Sequence, residues 1–362
     1  MVWSLKDSQL IYDELRAISA QVLKALGCHT EPHKVGGKGT TRTKSWLEID
    51  GRKRYQGVLF HYTNGVSGVG AVKWANHPGW GNTGSSWHVT IFDRITDNIV
   101  GEIWSKIDDE IRRLFPVPTI IMADFRWGTW HGNWTNNVTL GIENRNGGYS
   151  GYSKAKNGLE TLNKQGVDVH GKIWEIYTRE QMACNVNLGR LANGLIEGQL
   201  DPDWVLSHQC VWATKQDTGP LFTIHEVRNA IFNNDPLISI PWLSAYPMAP
   251  DTNEDDDTLW DPLDEFRDEA EENFMKWTEP SPEVVATTKD PVDTALLMYR
   301  LGFNTGPEVP APDSLKKQVR WFQRSTGAYA KDHPERVLSP DGVAGPKTHK
   351  ELKRRIDQLK LG

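Results

Sequence analysis

The stretch GVLFHYT, residues 57–63, is a short apolar run that leads into a histidine and a tyrosine. A run of this length without helical spacing is typical of a buried strand. Four further runs have the same character: SSWHVTIFDR (85–94), PTIIMADF (118–125), VTLGIENR (138–145) and WVLSH (204–208). Helical patterns lie between these runs, so we predict an α/β fold in which a mixed central β-sheet is flanked by helices.

Three helices are predicted around these strands. Residues 8–26 carry apolar side chains at every third or fourth position and are followed by Gly27, which is typical of an amphipathic helix and its end. Segments 105–115 and 178–196 have similar patterns. The segments that flank the sheet are therefore amphipathic, with one apolar face each.

The composition of the chain changes after the last strand. Residues 251–272 contain twelve Asp or Glu and a single arginine, and prolines follow at 280, 282 and 291, which indicates a solvated linker. Three helical runs follow and predict a small, separate three-helix bundle. We therefore divide the chain into an N-terminal helix and loop extension, a main domain, a linker and a C-terminal bundle: 1–50, 51–248, 249–288 and 289–362.

Composition and charge exclude several classes of protein. The 362 residues carry a net charge of −6, so a basic field over the whole protein for nucleic acid is absent. No apolar run approaches the ~20 residues of a membrane span, and the N-terminus has no secretory signal pattern. Three scattered cysteines indicate a reducing compartment. We expect synthesis in the cytoplasm and no membrane insertion.

Two histidines and one aspartate have the residue types of a metal site. His61 and His208 each end a strand-like run, and Asp217 follows His208 by nine residues. Two histidines and a carboxylate with one open position form the ligand set of a catalytic zinc ion. The chain contains eleven histidines, and a single histidine at a strand end is more often structural, so spacing alone leaves both interpretations open.

Four motifs, in order, resemble the zinc-dependent N-acetylmuramoyl-L-alanine amidase family, which includes peptidoglycan recognition proteins and T7-type lysozyme. They are GVLFHYTNG, SSWHVTIFDR, GTWHGNWTNNVTLGIENRN and LSHQCVWATKQDTGP, and the resemblance covers residues 55–225. Two departures are visible: Gln209 stands where the family has Arg or Asp, and residues 147–175 are longer than a minimal member requires.

The resemblance implies a set of catalytic roles. Zn²⁺ would be held by His61, His208 and Asp217. Glu143 would act as the general base, and Lys215 would stabilise the oxyanion. Some proteins of this fold use a cysteine ligand, but Cys210 precedes Lys215 instead of following it, so we predict that Cys210 is a small buried apolar residue.

Other residues of the same motifs are candidates for substrate contact. His88 would lie near the substrate peptide, and His131 would either contact substrate or brace the site. The tryptophans cluster between residues 74 and 134, and a flat indole face suits stacking on sugar rings. The predicted substrate-binding residues are His88, His131, Trp130, Asn144 and Trp87.

The C-terminal segment carries a second resemblance. QVRWFQRSTG followed by SPDGVAGPKTHKEL is similar to the three-helix peptidoglycan-binding domain. The last 50 residues hold twelve Lys or Arg against six Asp or Glu. A basic module of this kind would raise the concentration of the main domain at an insoluble wall.

Together these resemblances predict an N-acetylmuramoyl-L-alanine amidase whose partner is bacterial peptidoglycan. We expect a monomer that acts as a phage endolysin on the cell wall and that leaves the host cytoplasm with a holin-like or secretion partner. A non-catalytic peptidoglycan-recognition protein and the wall-degrading cargo of an injection system are the alternatives. A glycosidase would need two carboxylates across a groove, and the acidic cluster lies in the linker.

Overall fold

The computed structural model describes residues 3–30, 48–49, 52–53, 55–63, 67–77, 86–95, 98–136, 138–148, 166–169, 172–233, 291–305 and 312–359. The strands in this part of the chain are β1 (Glu48–Ile49), β2 (Arg52–Lys53), β3 (Gly57–Tyr62), β4 (Val89–Ile91), β5 (Thr119–Ile121), β6 (Thr139–Asn144), β7 (Gly166–Val169), β8 (Lys172–Glu175) and β9 (Val205–Ser207). The helices are α1 (Leu5–Ala25), α2 (Gly68–Asn76), α3 (Ile99–Trp104), α4 (Asp109–Leu114), α5 (Arg179–Leu195), α6 (His208–Val211), α7 (Ile224–Asn233), α8 (Pro291–Arg300), α9 (Pro312–Ser325) and α10 (Pro346–Leu359).

Five strands form the central sheet in the order β5-β4-β6-β3-β9. The pairs β4–β6, β6–β3 and β3–β9 are parallel, and the edge strand β5 is antiparallel to β4. The predicted α/β fold with a mixed central sheet is therefore confirmed. Two small antiparallel pairs, β1–β2 and β7–β8, lie outside this sheet.

Strand β3 is buried on both faces, which explains its unbroken apolar sequence. Val58 and Phe60 pack into one apolar cluster with α1, α5 and α7, whereas Leu59 packs into a second cluster on the opposite face. Gly57 at the start of the strand touches Trp204, and a Cβ at residue 57 would lie 2.2 Å from the Trp204 backbone oxygen. Glycine is needed there because the two backbones approach so closely.

Helix α1 covers the edge strand β5, so the N-terminal extension does pack on the main domain. Its buried face includes Leu15, Ile18 and Val22. The Ser19 hydroxyl accepts a hydrogen bond of 2.8 Å from the backbone N–H of Ile121 in β5. The Ser19 side chain thus pairs with a backbone N–H that would have no hydrogen-bond partner at an exposed sheet edge.

The three predicted C-terminal helices, α8, α9 and α10, are present. They share the second apolar cluster with β3, β9 and α6. Trp321 of α9 lies against Trp204 with ring centroids 4.1 Å apart. The main domain thus covers part of the apolar surface of these three amphipathic helices, and the division of the chain into domains stays a prediction.

A polar contact beside this cluster holds α9 to the main domain. The buried Asp203 carboxylate accepts hydrogen bonds from Asn304, Ser314 and Gln318. The Lys317 ammonium lies 2.6 Å from the same carboxylate. One acidic group therefore meets four donors of the C-terminal segment.

Two sequence predictions lie outside the described residues. The acidic linker at 249–288 is one, and most of the 147–175 insertion is the other. Within the described residues, no helix combines the length and apolarity that a membrane span requires.

The shared cluster predicts that the protein unfolds as one unit. Replacing the buried Trp321 by alanine leaves a cavity between the main domain and α9, so Trp321→Ala should lower the free energy of unfolding by about 3–5 kcal/mol. Chemical denaturation followed by circular dichroism should show a single transition for the wild type. Val343 is exposed, so Val343→Ala should change stability by less than about 0.5 kcal/mol. Two separate wild-type transitions would contradict the shared core.

Candidate metal centre

Parallel pairing brings the three predicted metal ligands together. His61 lies near the carboxyl end of β3, and His208 follows β9, whose Ser207 is in register with Phe60. After His208 the chain turns back toward the sheet edge, and the Gln209 N–H donates a 2.8 Å hydrogen bond to the Asp217 carbonyl. This bond closes the segment between His208 and Asp217 and turns Asp217 toward both histidines.

The three side chains are buried and their ligand atoms converge. The Nδ1 atoms of His61 and His208 are 3.0 Å apart, and the Asp217 Oδ2 lies 3.2 Å from the first and 2.8 Å from the second. The three donor atoms lie within 4.8 Å of one another, a spacing that could hold a metal ion. This is the grouping that the sequence predicts, although the identity of an ion stays a prediction.

Burial and mutual charge shift the pKa values of this cluster. Burial and the neighbouring His208 lower the pKa of His61 to about 4. Burial alone would raise the pKa of Asp217, but His208 and His61 hold this pKa well below its usual range. The cluster therefore presents a carboxylate and a neutral His61 ring, the protonation states that metal ligation needs.

His131 determines which nitrogen of His61 is free. The His131 Nε2–H donates to the Thr139 carbonyl at 2.9 Å, because a carbonyl can only accept. In a neutral ring the Nδ1 atom of His131 is then an acceptor, and it takes a hydrogen bond of 3.1 Å from His61 Nε2. The lone pair of His61 therefore resides on Nδ1, the atom that faces His208 and Asp217.

The position of His131 decides between the two roles that the sequence left open for it. Its ring packs on the backbone of Gly141, where an added Cβ would lie 2.5 Å from the ring. With both ring nitrogens engaged, His131 braces His61. The contacts favour the brace over substrate contact.

Glu143 lies beside His61 on the same sheet face. The two residues are aligned in the parallel register of β3 and β6, and aligned residues of adjacent strands point to the same side. Glu143 is buried. Burial and the Asp217 carboxylate raise its pKa well above the usual range, while Lys215 acts in the opposite direction. A carboxyl group with a raised pKa suits proton transfer near neutral pH.

Lys215 and Cys210 lie on the segment between His208 and Asp217. Lys215 is exposed, two residues before the aspartate. Cys210 is buried and its thiol points to the Leu301 carbonyl at 3.0 Å, outside the group of converging ligand atoms. Burial raises the pKa of this thiol to about 12. Cys210 is thus buried as predicted.

Three residues predicted to contact substrate are instead buried. His88 accepts a hydrogen bond from the Gly141 N–H and contacts the Trp127 carbonyl, so both ring nitrogens are engaged. The Asn144 amide donates to the His61 carbonyl, and the Trp87 indole donates to Thr90. These placements do not fit substrate contact. The polar side chains hold the strands and loops behind the site.

Trp130 differs from these three because its side chain is only half-buried. Its backbone exchanges two hydrogen bonds of 2.9 Å with Ser86, one of them to the Ser86 hydroxyl. The residue directly precedes His131. The role of Trp130 in substrate contact stays a prediction.

Two tyrosines near the ligands were not predicted from the sequence. Burial, followed by the charges of Asp217 and Glu143, raises the pKa of Tyr62. The Tyr177 hydroxyl donates a 2.8 Å hydrogen bond to the Thr218 carbonyl, next to Asp217. Tyr62 directly follows the first ligand, a signal that was available. Tyr177 is distant in sequence from the three ligands, so no sequence signal indicated it.

Comparisons with known proteins give only a weak structural similarity. No protein-family model and no curated protein sequence matches this chain. Among solved structures, the chain is similar to AmpDH3 from Pseudomonas aeruginosa in two crystal structures, one of them a complex with anhydromuramic pentapeptide. In both, the identity is 16%, and the match covers 87% of this chain and 96% of that chain. The TM-scores of 0.35 and 0.34 are too low to carry an assignment of any residue's role.

The brace on His61 predicts a measurable effect on metal affinity. His131→Ala frees His61 to turn and to change tautomer, so the zinc dissociation constant should rise by about tenfold to a hundredfold. Competition with a chromogenic chelator measures this constant. His349 is also partly buried and bonded to Thr294, so His349→Ala is the matched control and should bind zinc like the wild type. Equal affinities of the wild type and His131→Ala would refute the brace.

The buried His88 predicts a pH dependence of stability. Burial lowers its pKa to about 4, whereas an unfolded histidine binds a proton near pH 6.5. Between these values the unfolded chain binds more protons, so stability is complete above pH 6.5 and falls as the pH drops toward 4. The loss from this residue should reach about 1.4 kcal/mol per pH unit.

Urea denaturation at several pH values, with chelator present, measures this slope. His88→Gln removes the titrating ring, so its stability should depend less steeply on pH than that of the wild type. Parallel curves for the two proteins would show that His88 does not titrate in this window.

Proposed function

We propose that this protein is a zinc-dependent peptidoglycan amidase that cleaves the bond between N-acetylmuramic acid and L-alanine. The observation that carries the proposal is the convergence of His61, His208 and Asp217, with Glu143 aligned beside His61. The four ordered sequence motifs support the choice of substrate. Glu143 and Lys215 supply the two further groups that amide hydrolysis needs.

The donor set fits zinc better than it fits a hard cation. Two imidazole nitrogens and one carboxylate oxygen are the preferred partners of Zn²⁺, whereas Ca²⁺ and Mg²⁺ favour sites made of oxygen alone. His61 presents an Nδ1 lone pair to the Asp217 carboxylate at 3.2 Å. Two acceptors that face each other at this distance repel unless a cation or a proton lies between them. The arrangement therefore suits a bound cation.

The chain's own residues supply the proton transfers of the reaction. A zinc ion held by His61, His208 and Asp217 would lower the pKa of a water molecule to about 7 and polarise the scissile carbonyl. Glu143 takes the proton from the attacking water and returns it to the leaving nitrogen. The raised pKa of Glu143 favours its holding a proton between these two steps.

Charge on the carbonyl oxygen is stabilised by a cation of the chain. Lys215 is exposed beside Asp217, so its ammonium can reach an oxyanion that forms at the open side of the site. The neighbouring Asp217 and Glu143 are both buried carboxyl groups. The Lys215 ammonium thus offsets negative charge where the transition state accumulates it.

The biological role that we propose is digestion of the bacterial cell wall by a phage endolysin. The C-terminal helices resemble a peptidoglycan-binding domain and would keep the enzyme on the polymer. Export from the host cytoplasm would require a holin-like or secretion partner. An effector carried by an injection system would use the same chemistry and differ in its route.

Digestion of purified cell walls tests the proposed reaction. New L-alanine amino termini should appear with the wild-type protein and should be absent in the presence of a chelator. New reducing sugar ends would indicate a glycosidase and overturn the proposal. Wall binding without new ends would indicate a recognition protein.

Two variants separate metal binding from proton transfer. Asp217→Ala should lose both zinc and activity, whereas Glu143→Gln should keep the zinc and lower kcat by about 10²–10⁴-fold. Metal content by atomic absorption and release of amino termini measure the two effects. Glu102 is exposed on α3, so Glu102→Gln is the control for removal of a carboxylate and should be fully active. Full activity of Asp217→Ala would refute the ligand assignment.

A further inference from the structure

The segment that joins two of the proposed metal ligands has little structure of its own. This ligand loop, residues 208–217, contains the single turn of α6 and then runs irregularly to Asp217. Within the loop, the Lys215 N–H donates to the Trp212 carbonyl, and the Gln209 N–H donates to the Asp217 carbonyl. Buried backbone groups need partners, and the loop itself supplies few of them.

The C-terminal segment supplies hydrogen bonds to the second half of the ligand loop. The Tyr329 hydroxyl donates to the Ala213 carbonyl at 3.1 Å, and the Ala213 N–H donates to the Ser325 carbonyl at 3.2 Å. The Arg355 guanidinium of α10 donates to the Lys215 carbonyl at 3.1 Å. The last bond reaches the residue whose ammonium would face the substrate.

Burial of the Arg355 guanidinium costs free energy, which an interface that serves only packing would avoid. Its side chain is 1% exposed, and within the described part of the chain no ion pair joins it to a carboxylate. Its guanidinium donates to the Gln358 side chain and the Lys215 carbonyl. The buried Glu351 carboxylate, four residues earlier on α10, attracts the guanidinium without a direct ion pair. A buried cation that lacks a direct ion pair is unfavourable, whereas methionine would fill similar space. The Arg355 guanidinium therefore fixes the Lys215 carbonyl of the ligand loop through a hydrogen bond.

A turn of the C-terminal segment holds the first half of the loop. The Leu301 carbonyl accepts from the Cys210 thiol at 3.0 Å and from the Gln209 amide at 3.4 Å. The next residue, Gly302, has a φ of +98°, and a Cβ there would lie 3.1 Å from Ile224 and 3.4 Å from the Cys210 sulfur. Glycine thus permits the turn that presents this carbonyl to the loop.

We propose that the C-terminal helices are a structural part of the metal centre and position the ligand loop, with Arg355 and Tyr329 as positioning residues. The inference rests on the proposed metal function of His61, His208 and Asp217. A tethered wall anchor would leave metal affinity independent of these helices. A brace on the loop makes zinc binding depend on residues that are far from the ion in sequence.

Zinc affinity of full-length variants tests this proposal. Arg355→Met should raise the zinc dissociation constant by about tenfold or more, and Tyr329→Phe, which removes one hydroxyl, should raise it by about fivefold. Competition with a chromogenic chelator, at a temperature where circular dichroism shows each variant folded, measures both constants. The absorption spectrum of the Co²⁺-substituted proteins should change in the same two variants, since it reports the geometry of the ligands.

Lys317→Met is the matched control. Lys317 also joins the C-terminal helices to the main domain, but it contacts Asp201 and Asp203 and not the ligand loop. This variant weakens docking and should keep wild-type zinc affinity and a wild-type Co²⁺ spectrum. Equal weakening in Lys317→Met would show that any loss of docking has the effect, and would overturn the positioning roles of Arg355 and Tyr329.

The remaining outcomes are distinct from one another. Wild-type affinity in Tyr329→Phe and Arg355→Met would overturn the proposal while leaving the metal centre intact. If Arg355→Met does not fold, the affinity of Tyr329→Phe decides. Absence of zinc binding by the wild-type protein would instead overturn the proposed function, and this inference with it.

Discussion

Parallel pairing of β3 with its two neighbours is the constraint on which the site depends. Because β6 and β9 run in the same direction as β3, their carboxyl ends meet at one edge of the sheet. Residues at the same level then face the same side, which aligns Glu143 with His61 and brings His208 within reach. Hydrogen bonds between the paired strands fix this alignment, so no long loop is needed to bring these side chains together. An antiparallel arrangement of the same strands would separate these residues by the length of the sheet.

In the hydrogen bonds behind the ligands, the backbone fixes which atom donates and which accepts. These bonds thereby determine the tautomers of the histidine rings. A backbone carbonyl at Thr139 determines the tautomer of His131, and His131 in turn determines that of His61. His88 is held in the same manner by the Gly141 N–H. Backbone groups of the sheet and its loops therefore act on the ring nitrogens through fixed donors and acceptors. The fold thereby determines which lone pairs are available, beyond determining where the side chains lie.

The sheet was predicted well because each strand follows from a pattern that one segment carries by itself, whereas the grouping of His61, His208 and Asp217 was implied by the resemblance of four ordered motifs. Strands buried on two faces need unbroken apolar runs, and histidines at the ends of such runs stand out. The roles of His88 and Asn144 were not predictable in this way, since a polar side chain has the same hydrogen-bonding groups whether its partner is substrate or backbone. The docking of α9 was missed for a related reason. An amphipathic pattern shows that one face is apolar but does not show which surface covers it, and the partners of Trp321 include Trp204, far away along the chain.

The contact between helix α1 and the edge strand β5 has a consequence for synthesis on the ribosome. Ser19 and its partner Ile121 are 102 residues apart in the chain. Synthesis proceeds at about 5–20 residues per second, so β5 is completed about 5–20 seconds after the helix that covers it. During this interval its leucine, isoleucine and valine side chains face water, where a chaperone can bind them. The pairing of β3 with β9 imposes a similar delay, so a chain released by the ribosome before β9 has been made has four of the five strands and leaves β3 as an open edge, which makes it a substrate for proteases.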